Sequence, residues 1–227
     1  MENSRRDQAI HLEFSDKYDR DHAEHYFRKH RAGLARRLTT WRELALARRA
    51  LAMAGDPDVV LDLPCGAGRF WPLLAAKAGR RILAADSSEE MLQVARRMQP
   101  KELVDRVECF QCSAFETGLD DGSVDNVFCM RLLHHILEPA HRLAMLREFH
   151  RVTRDTVCIS LWVDGNYRAY RRKKLEATRS KAELQNRGVV ERVRIEAEFR
   201  QAGFRIVGHL DFLKFYSMWR VYILRKE

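Results

Sequence analysis

The stretch VVLDLPCGAGR at residues 59–69 decides the fold of this 227-residue chain. It joins an apolar run to a glycine-rich turn, and the carboxylate of Asp62 lies near the end of the run. Gly66 and Gly68 allow the backbone of such a turn to approach a ligand closely, and a following helix points its N–H groups at that ligand. The stretch therefore predicts a buried strand, a tight turn and a binding site beyond the strand.

A second carboxylate, Asp86, ends the next apolar run, 20 residues after Gly66. In nucleotide-binding α/β folds an acid at this place accepts hydrogen bonds from ribose hydroxyls. The alternative is an acid that merely precedes a helix, where the helix dipole favours it. A dinucleotide fold would also need a third glycine, and the bulky Trp71 occupies that position. Trp71 therefore disfavours a nicotinamide-dependent dehydrogenase.

Short apolar runs alternate with helical stretches from residue 59 onward, which is typical of a parallel sheet covered by helices on both faces. The predicted strands are residues 59–63, 81–85, 107–112, 124–130, 156–162, 204–210 and 219–224. Too few residues separate the last two strands for a helical crossover, so they are expected to pair antiparallel. The sequence predicts an α/β fold with a mostly parallel sheet of seven strands and an antiparallel last strand.

Three local signals place helices between these strands. Ser87 with Glu90 forms a predicted capping box, and Pro139 suits a first helical turn. Gly203 is expected to end a helix that runs from about residue 189.

Apolar and aromatic residues recur at helical steps before the first strand. They are Tyr26, His30, Leu34, Leu38, Trp41 and Leu44. This stripe predicts one or two amphipathic helices that pack on the sheet or cover its ligand cleft. Residues 1–54 are accordingly interpreted as a helical lid or cap within the same domain, and residues 55–227 as the main domain.

Positive charge is concentrated in two segments, although the whole chain has a formal net charge of +9. Residues 28–49 carry eight Lys or Arg against one acid, and residues 168–187 carry eight against two. The second segment belongs to a predicted basic insertion at about residues 164–188. Since the rest of the chain is mildly acidic, both segments are candidates for attracting an anionic partner, the alternative being a solvated helix surface.

The five cysteines do not indicate a metal site or a disulfide framework. Cys109 and Cys112 form a C-x-x-C pair, but strand alternation places them on opposite faces, and no second pair completes a zinc site. No apolar stretch is long enough to span a bilayer, and the first residues do not resemble a signal peptide. We expect a soluble, cytoplasmic protein with reduced thiols.

Four elements, taken in order and at their spacing, resemble the class I, Rossmann-like methyltransferases that use S-adenosylmethionine (SAM). They are residues 61–69, Asp86, CSAF at residues 112–115, and VDNVFCMRLLHHI at residues 124–136. The resemblance covers about residues 59–163, with a family-like end at 189–225. It implies a Rossmann-like fold, SAM as cofactor and S-adenosylhomocysteine as product.

The resemblance also implies which residues contact SAM. Asp62 would face the methionine amino group, Gly66 and Gly68 would leave room for the methionine and ribose, and Asp86 would bind the ribose. The implied cofactor-binding set is Asp62, Cys65, Gly66, Gly68, Asp86, Ser87, Met91, Ser113, Ala114 and Met130. Ser113 stands where the family often has an acid, which departs from the usual contact with adenine.

Methyl transfer needs a base only when the acceptor must lose a proton. His134 and His135 are the candidates, with His135 preferred by its place in the resembled motif; the alternative is that a histidine only hydrogen-bonds a loop carbonyl. Arg131 is expected to orient an anionic acceptor or the SAM carboxylate. Cys129 is interpreted as a buried thiol rather than a nucleophile, and a metal-assisted site lacks its carboxylate cluster.

The basic segments, with Tyr26, Tyr167 and Tyr170, predict an acceptor that carries negative charge. A small or lipid-linked anionic molecule is the leading class. The alternatives are RNA, whose bases would stack on tyrosines, and a SAM-binding regulatory protein without catalysis. Nothing in the sequence bears on the oligomeric state.

Overall fold

A computed structural model describes residues 34–176 and 188–227, and all structural statements concern these residues. One seven-stranded sheet runs through the molecule in the order β3-β2-β1-β4-β5-β7-β6. The strands are β1 (Val59–Asp62), β2 (Arg81–Asp86), β3 (Val107–Gln111), β4 (Val124–Cys129), β5 (Thr153–Trp162), β6 (Phe204–Asp211) and β7 (Trp219–Lys226).

The sheet confirms the predicted strand number and direction. β1 to β5 pair in parallel, whereas β7 pairs antiparallel with both β5 and β6. β5 begins at Thr153, earlier than the predicted residue 156, because the preceding helix leads straight into the strand. The chain order reverses between β1 and β4, and ligands of open α/β sheets bind at the carboxyl ends of strands at such a point.

Seven α-helices lie among the described residues. They are α1 (Leu34–Met53), α2 (Trp71–Leu74), α3 (Glu89–Met98), α4 (Lys101–Val104), α5 (Pro139–Val152), α6 (Tyr167–Glu176) and α7 (Arg192–Gln201). Buried residues of α5 and α7 pack on one face of the sheet, and those of α1 and α2 pack on the other. The two apolar layers explain why the central strands are apolar on both faces.

Two helix starts differ from the sequence prediction. Ser88, rather than Ser87, is the N-cap of α3, since its hydroxyl accepts a hydrogen bond from the Met91 N–H at 3.2 Å. α7 begins at Arg192 rather than near residue 189. Pro139 does occupy the first turn of α5, and Gly203 follows the end of α7 with a φ of +88°.

The prediction that the apolar stripe on α1 is buried is wrong for the N-terminal half of the helix. Leu38 and Trp41 are each 67% exposed, and the helix instead buries Leu46, Ala47, Ala50 and Leu51 against the sheet. Small alanines let the helix approach the strands closely at its C-terminal half. Tyr26 and His30 lie outside the described residues. No helix in the described part of the chain is long and apolar enough to cross a membrane.

A buried ion pair holds the segment that follows β4. Arg142 on α5 makes two hydrogen bonds of 2.7 Å to the carboxylate of Glu198 on α7. The same guanidinium donates to the carbonyls of Ile136 and Leu137, at 3.1 and 2.7 Å. Arg142 therefore joins the helix layer to the segment that carries the two histidines.

We expect Glu198→Ala to lower the free energy of unfolding by about 3 kcal/mol, because it leaves the buried Arg142 charge without a carboxylate. Urea denaturation measures the change. Glu102→Ala, at an exposed position of α4, is the control and should change stability by less than about 0.5 kcal/mol. Equal stability of the two variants would contradict a structural role for the pair.

Candidate active site

A cleft opens at the carboxyl ends of β1, β2 and β4. It measures about 720 Å³ when the space at its opening to solvent is included. Its walls come from the turn after β1, the end of β2 and the segment after β4. The lining residues are Pro64, Cys65, Gly66, Ala67, Arg69, Phe70, Asp86, Ser87, Met91, Met130, Arg131, Leu132 and His135.

Gly66 lies at the centre of the cleft wall in the left-handed backbone region, with a φ of +54°. Its N–H donates to Oδ2 of Asp86 at 2.9 Å. A Cβ at this position would meet the terminal methyl of Met91 at 3.3 Å. The bare backbone therefore keeps the cleft open between the turn and α3.

Gly68 has a different role in the structure. Its φ is +70°, and a Cβ would lie 2.7 Å from the fully buried indole of Trp71. Gly68 is not among the lining residues, so its missing side chain makes room for Trp71 rather than for a ligand. The side-chain amide of Gln99 donates to the carbonyls of Ala67 and Gly68, at 2.9 and 3.0 Å, and ties the turn to the end of α3. Nothing in the local sequence pattern pointed to Gln99.

Asp86 is a buried carboxylate at the edge of the cleft. Besides the bond from Gly66, its Oδ1 accepts the N–H of Ser88 at 3.0 Å. Burial raises the pKa of Asp86 to about 6, although the backbone N–H groups that it accepts lower it in part. Each carboxylate oxygen has a further lone pair, so Asp86 retains the capacity to accept hydrogen bonds from a ligand.

Asp62 is fully buried at the end of β1, and neither of its carboxylate oxygens has a hydrogen-bond donor among the described residues. Burial and the charge of Asp86 raise its pKa well above the usual range. The indole of Trp71 lowers the pKa only in part, and its N–H does not reach hydrogen-bond geometry. Like Gly68, Asp62 is not among the residues that line the cleft, so it lies behind the cleft wall. An unsatisfied buried carboxylate of this kind requires an explanation.

A group of charged residues that no sequence pattern predicts joins α1 to the cleft. Glu43 on α1 accepts a hydrogen bond from Arg69 of the glycine turn, and its other carboxylate oxygen is 3.9 Å from the guanidinium of Arg131. Both arginines line the cleft. Glu43 was counted as the only acid of a basic segment, and its partners are distant in sequence, so no local pattern could identify it.

Arg131 has a left-handed backbone, with a φ of +70°, which is rare for a residue with a long side chain. Its N–H donates to the hydroxyl of Ser160 on β5 at 2.8 Å, and its guanidinium lies 5.2 Å from the ring centre of Trp219. The surrounding structure thus fixes this residue between the cleft and the start of β7.

The two histidines occupy different places. His135 lines the cleft, whereas His134 is buried, with its ring stacked at 4.8 Å on Trp162. The backbone carbonyl of His134 accepts the N–H of Gly188 at 2.8 Å. Only His135 is therefore brought to the predicted site of chemistry.

Other predicted site residues lie elsewhere. Ser113 accepts a hydrogen bond from the Phe115 N–H at 3.2 Å, and neither Ser113 nor Ala114 lines the cleft. Tyr167 and Tyr170 line a separate depression beside α6. Tyr26 lies outside the described residues, whereas Cys65, Ser87, Met91 and Met130 are all at the cleft.

A smaller apolar pocket adjoins the cleft; it measures about 350 Å³ when the space at its opening to solvent is included. The two share Phe70, Met130 and Arg131 as a common wall. The remaining lining residues are Glu43, Leu46, Ser160, Phe212, Trp219, Arg220 and Val221. No sequence pattern indicates this pocket, because its walls come from α1, β5 and β7 and from residues up to 178 positions apart.

The thiols of the site are unreactive as nucleophiles. Burial raises the pKa of the Cys129 thiol far above neutrality and does the same for Cys65 at the cleft. Across residues 34–176 and 188–227, no group of His, Cys, Asp and Glu side chains is arranged to hold a metal ion.

Comparison with known proteins finds a methyltransferase match over part of the chain. Residues 60–156 match the methyltransferase domain family. The fold is that of the magnesium protoporphyrin IX methyltransferase of Synechocystis PCC 6803, solved with bound S-adenosylhomocysteine (TM-score 0.73, 18% identity, covering 93% of this chain and 97% of that one). Residues 60–156 therefore resemble a methyltransferase domain, and the chain has the Rossmann-like fold of that solved structure.

Two of the proteins with similar sequences are methyltransferases named for quinones. The demethylmenaquinone methyltransferase of Clavibacter sepedonicus is 36% identical over 119 residues, which are 52% of this chain and 46% of that protein. The ubiquinone biosynthesis O-methyltransferase of Aromatoleum aromaticum is 32% identical over 112 residues, 49% of this chain and 46% of that protein. The chain thus spans less than half the length of these curated relatives.

The raised pKa values of Asp62 and Asp86 predict how stability depends on pH. The pKa of each carboxyl is higher in the folded than in the unfolded state, so above about pH 4 the unfolded state loses its proton more readily than the folded state. The free energy of unfolding therefore falls as pH rises above about 4. In Asp62→Asn this contribution from Asp62 is absent. We expect the melting temperature of the ligand-free variant, relative to that of the native chain, to rise between pH 4 and pH 8.

Thermal unfolding monitored by circular dichroism across this pH range measures the difference. Asp105→Asn, at an exposed position, is the matched control and should give a constant offset. A constant offset for Asp62→Asn as well would show that Asp62 is not held with a raised pKa.

Proposed function

We propose that this chain transfers a methyl group from SAM to a small aromatic or lipid-linked acceptor with an acidic hydroxyl, and that the cleft binds SAM while the apolar pocket binds the acceptor. The observation that carries the proposal is the wall shared by the two cavities, since donor and acceptor must meet for an in-line displacement.

The residues at the cleft fit SAM. Asp86 retains free lone pairs at the cleft edge and suits the two ribose hydroxyls. The carboxylate of Asp62 lacks a donor and would be offset by the positively charged amino group of the methionine part. Met91 and Ser87, on the α3 side of the cleft, would border the adenine. Gly66 has no side chain, which leaves space for the ligand between its backbone and Met91.

The lining of the apolar pocket supports the acceptor class. Leu46, Phe70 and Phe212 provide apolar and aromatic walls suited to a ring. The lining also holds two arginines, Arg131 and Arg220, whose charges are partly offset by Glu43 and Asp211. Guanidinium donors of this kind favour an acceptor hydroxyl that becomes negatively charged as it loses its proton.

The chemistry assigns a role to each side of the shared wall. When bound, SAM supplies a methyl group on a positively charged sulfur, and its loss leaves neutral S-adenosylhomocysteine. The acceptor oxygen forms the new bond to the methyl carbon as the carbon–sulfur bond breaks. His135, at the cleft, takes the hydroxyl proton, and Arg131 orients the developing oxyanion from its fixed backbone position.

Calorimetry with SAM tests the donor site. We expect Asp86→Asn to weaken SAM binding by about 1–3 kcal/mol, because it removes a charged hydrogen-bond acceptor. In the native chain the affinity should also fall as the pH drops below about 6, where Asp86 becomes protonated. Asp105→Asn should bind like the native chain. Unchanged affinity in Asp86→Asn would place the ribose elsewhere.

Transfer of tritiated methyl from SAM into fractionated cell extract tests the acceptor. We expect label in the lipid or small-molecule pool, and about tenfold less in Phe212→Ala at limiting acceptor, since one apolar wall is lost. SAM affinity should be unchanged, because Phe212 does not line the cleft.

Leu103→Ala, a partly buried residue on α4, is the control for this truncation. Label that enters the RNA pool would contradict the acceptor class. A lack of label in every pool would favour the regulatory alternative over catalysis.

A further inference from the structure

A loop between β6 and β7 forms one surface with the start of α6. The backbone N–H groups of Tyr167 and Arg168 donate to the carbonyls of Phe215 and Tyr216, each at 3.0 Å. The rings of Tyr167 and Tyr216 stack with centroids 5.7 Å apart. The loop and the helix therefore present their side chains together.

This surface gathers most of the exposed large apolar side chains. Of the eleven such side chains in the described residues, eight lie on the N-terminal half of α1, on α6 or on the loop. We use the term apolar face for six of these eight, namely Leu38, Trp41, Tyr170, Leu213, Phe215 and Tyr216. Exposed patches of this kind mark interaction sites.

α1 is held against the same loop. The Arg42 Nε donates to the carbonyl of Phe212 at 3.0 Å, and Leu38 and Trp41 lie on the side of the helix that Arg42 shares. Leu38 and Trp41, which the sequence wrongly predicts to be buried, thus lie within about one helical turn of the residue that contacts the loop.

Phe215 is the most exposed residue of the face, at 76%, and has a left-handed backbone with a φ of +63°. Bulky residues rarely adopt this region, which costs about 1–3 kcal/mol and is often associated with function. A large apolar side chain is therefore held outward at the loop tip against its own backbone preference.

Basic side chains surround the face. α6 carries Arg168, Arg171, Lys173 and Lys174, all exposed, and Lys214 lies 5.0 Å from the ring centre of Phe215. Apolar side chains framed by lysine and arginine match a bilayer surface of anionic lipid, where apolar tips enter the acyl boundary and cations contact the headgroups.

We propose that the apolar face and its basic rim bind an anionic lipid membrane, with Phe215 inserted. Exposed leucines and a phenylalanine that is 76% exposed favour a bilayer over RNA, whose bases stack in grooves. The face is also adjacent to the apolar pocket, since Phe212 of the pocket wall is followed directly by the loop. If the proposed function holds, a lipid-linked acceptor reaches the pocket from the membrane.

Vesicle sedimentation tests the proposal independently of catalysis. We expect the native chain to bind phosphatidylcholine vesicles that contain phosphatidylglycerol, and to bind vesicles of phosphatidylcholine alone at least about tenfold more weakly, because each basic residue near an anionic surface contributes to binding. Equal binding to both vesicles, or binding to neither, overturns the proposal. Salt-sensitive binding to single-stranded RNA without vesicle binding would assign the face to RNA and also overturns it.

Two variants separate insertion from charge. Phe215→Asn suits the left-handed backbone and should lower vesicle affinity about tenfold without loss of thermal stability. Val193→Asn removes an equally exposed residue, also 76%, on α7 and should bind like the native chain. Lys173→Glu with Lys174→Glu should also lower affinity about tenfold, whereas Arg200→Glu with Arg205→Glu, the same change of charge elsewhere, should lower it much less. The proposal fails if Phe215→Asn binds vesicles as tightly as Val193→Asn, and the double lysine variant binds them as tightly as the double arginine variant.

Discussion

Two buried carboxylates at the carboxyl edge of the sheet constrain everything around them. Asp62 and Asp86 end neighbouring parallel strands, and burial together with the charge of Asp86 raises the pKa of Asp62. Such a pair costs free energy unless donors or a cation compensate it. The protein compensates only Asp86, through the backbone of the turn and of α3. The Asp62 carboxylate has no such donor among the described residues. Under the proposed function, the positively charged amino group of SAM would stabilise it on binding.

The turn after β1 is built to keep that arrangement open. Gly66 is left-handed and directs its N–H at Asp86, and Gly68 must lack a side chain because a Cβ would lie 2.7 Å from the indole of Trp71. In the sequence, Trp71 disfavours a dinucleotide. In the structure it is a fully buried packing residue whose indole also lowers the pKa of Asp62 in part.

The sequence was sufficient for the sheet and for the acids at its edge, because both depend on local periodicity and on short spacing. The separation of Gly66 and Asp86 was enough to place Asp86 at the end of the second strand, but not to predict the hydrogen bond between the two residues. Gln99, Glu43 and the apolar pocket could not, because their contacts join residues brought together only by the fold. The error at α1 has a related cause: helical spacing shows that residues share a face, but it does not show whether the face meets the sheet or solvent.

Positive charge is divided between two places that the composition cannot distinguish. Inside, Arg131 and Arg220 at the apolar pocket each have a carboxylate nearby, Glu43 and Asp211 respectively, so the pocket is only weakly cationic.

Outside, the charges of α6 surround exposed aromatic rings and do not line the pocket. The net charge of the chain is therefore a poor guide to the acceptor, since most of it lies where it can act on a surface rather than on a substrate. The acceptor is better inferred from the shape and apolar lining of the pocket. The role of the basic segments is better inferred from the exposed residues beside them.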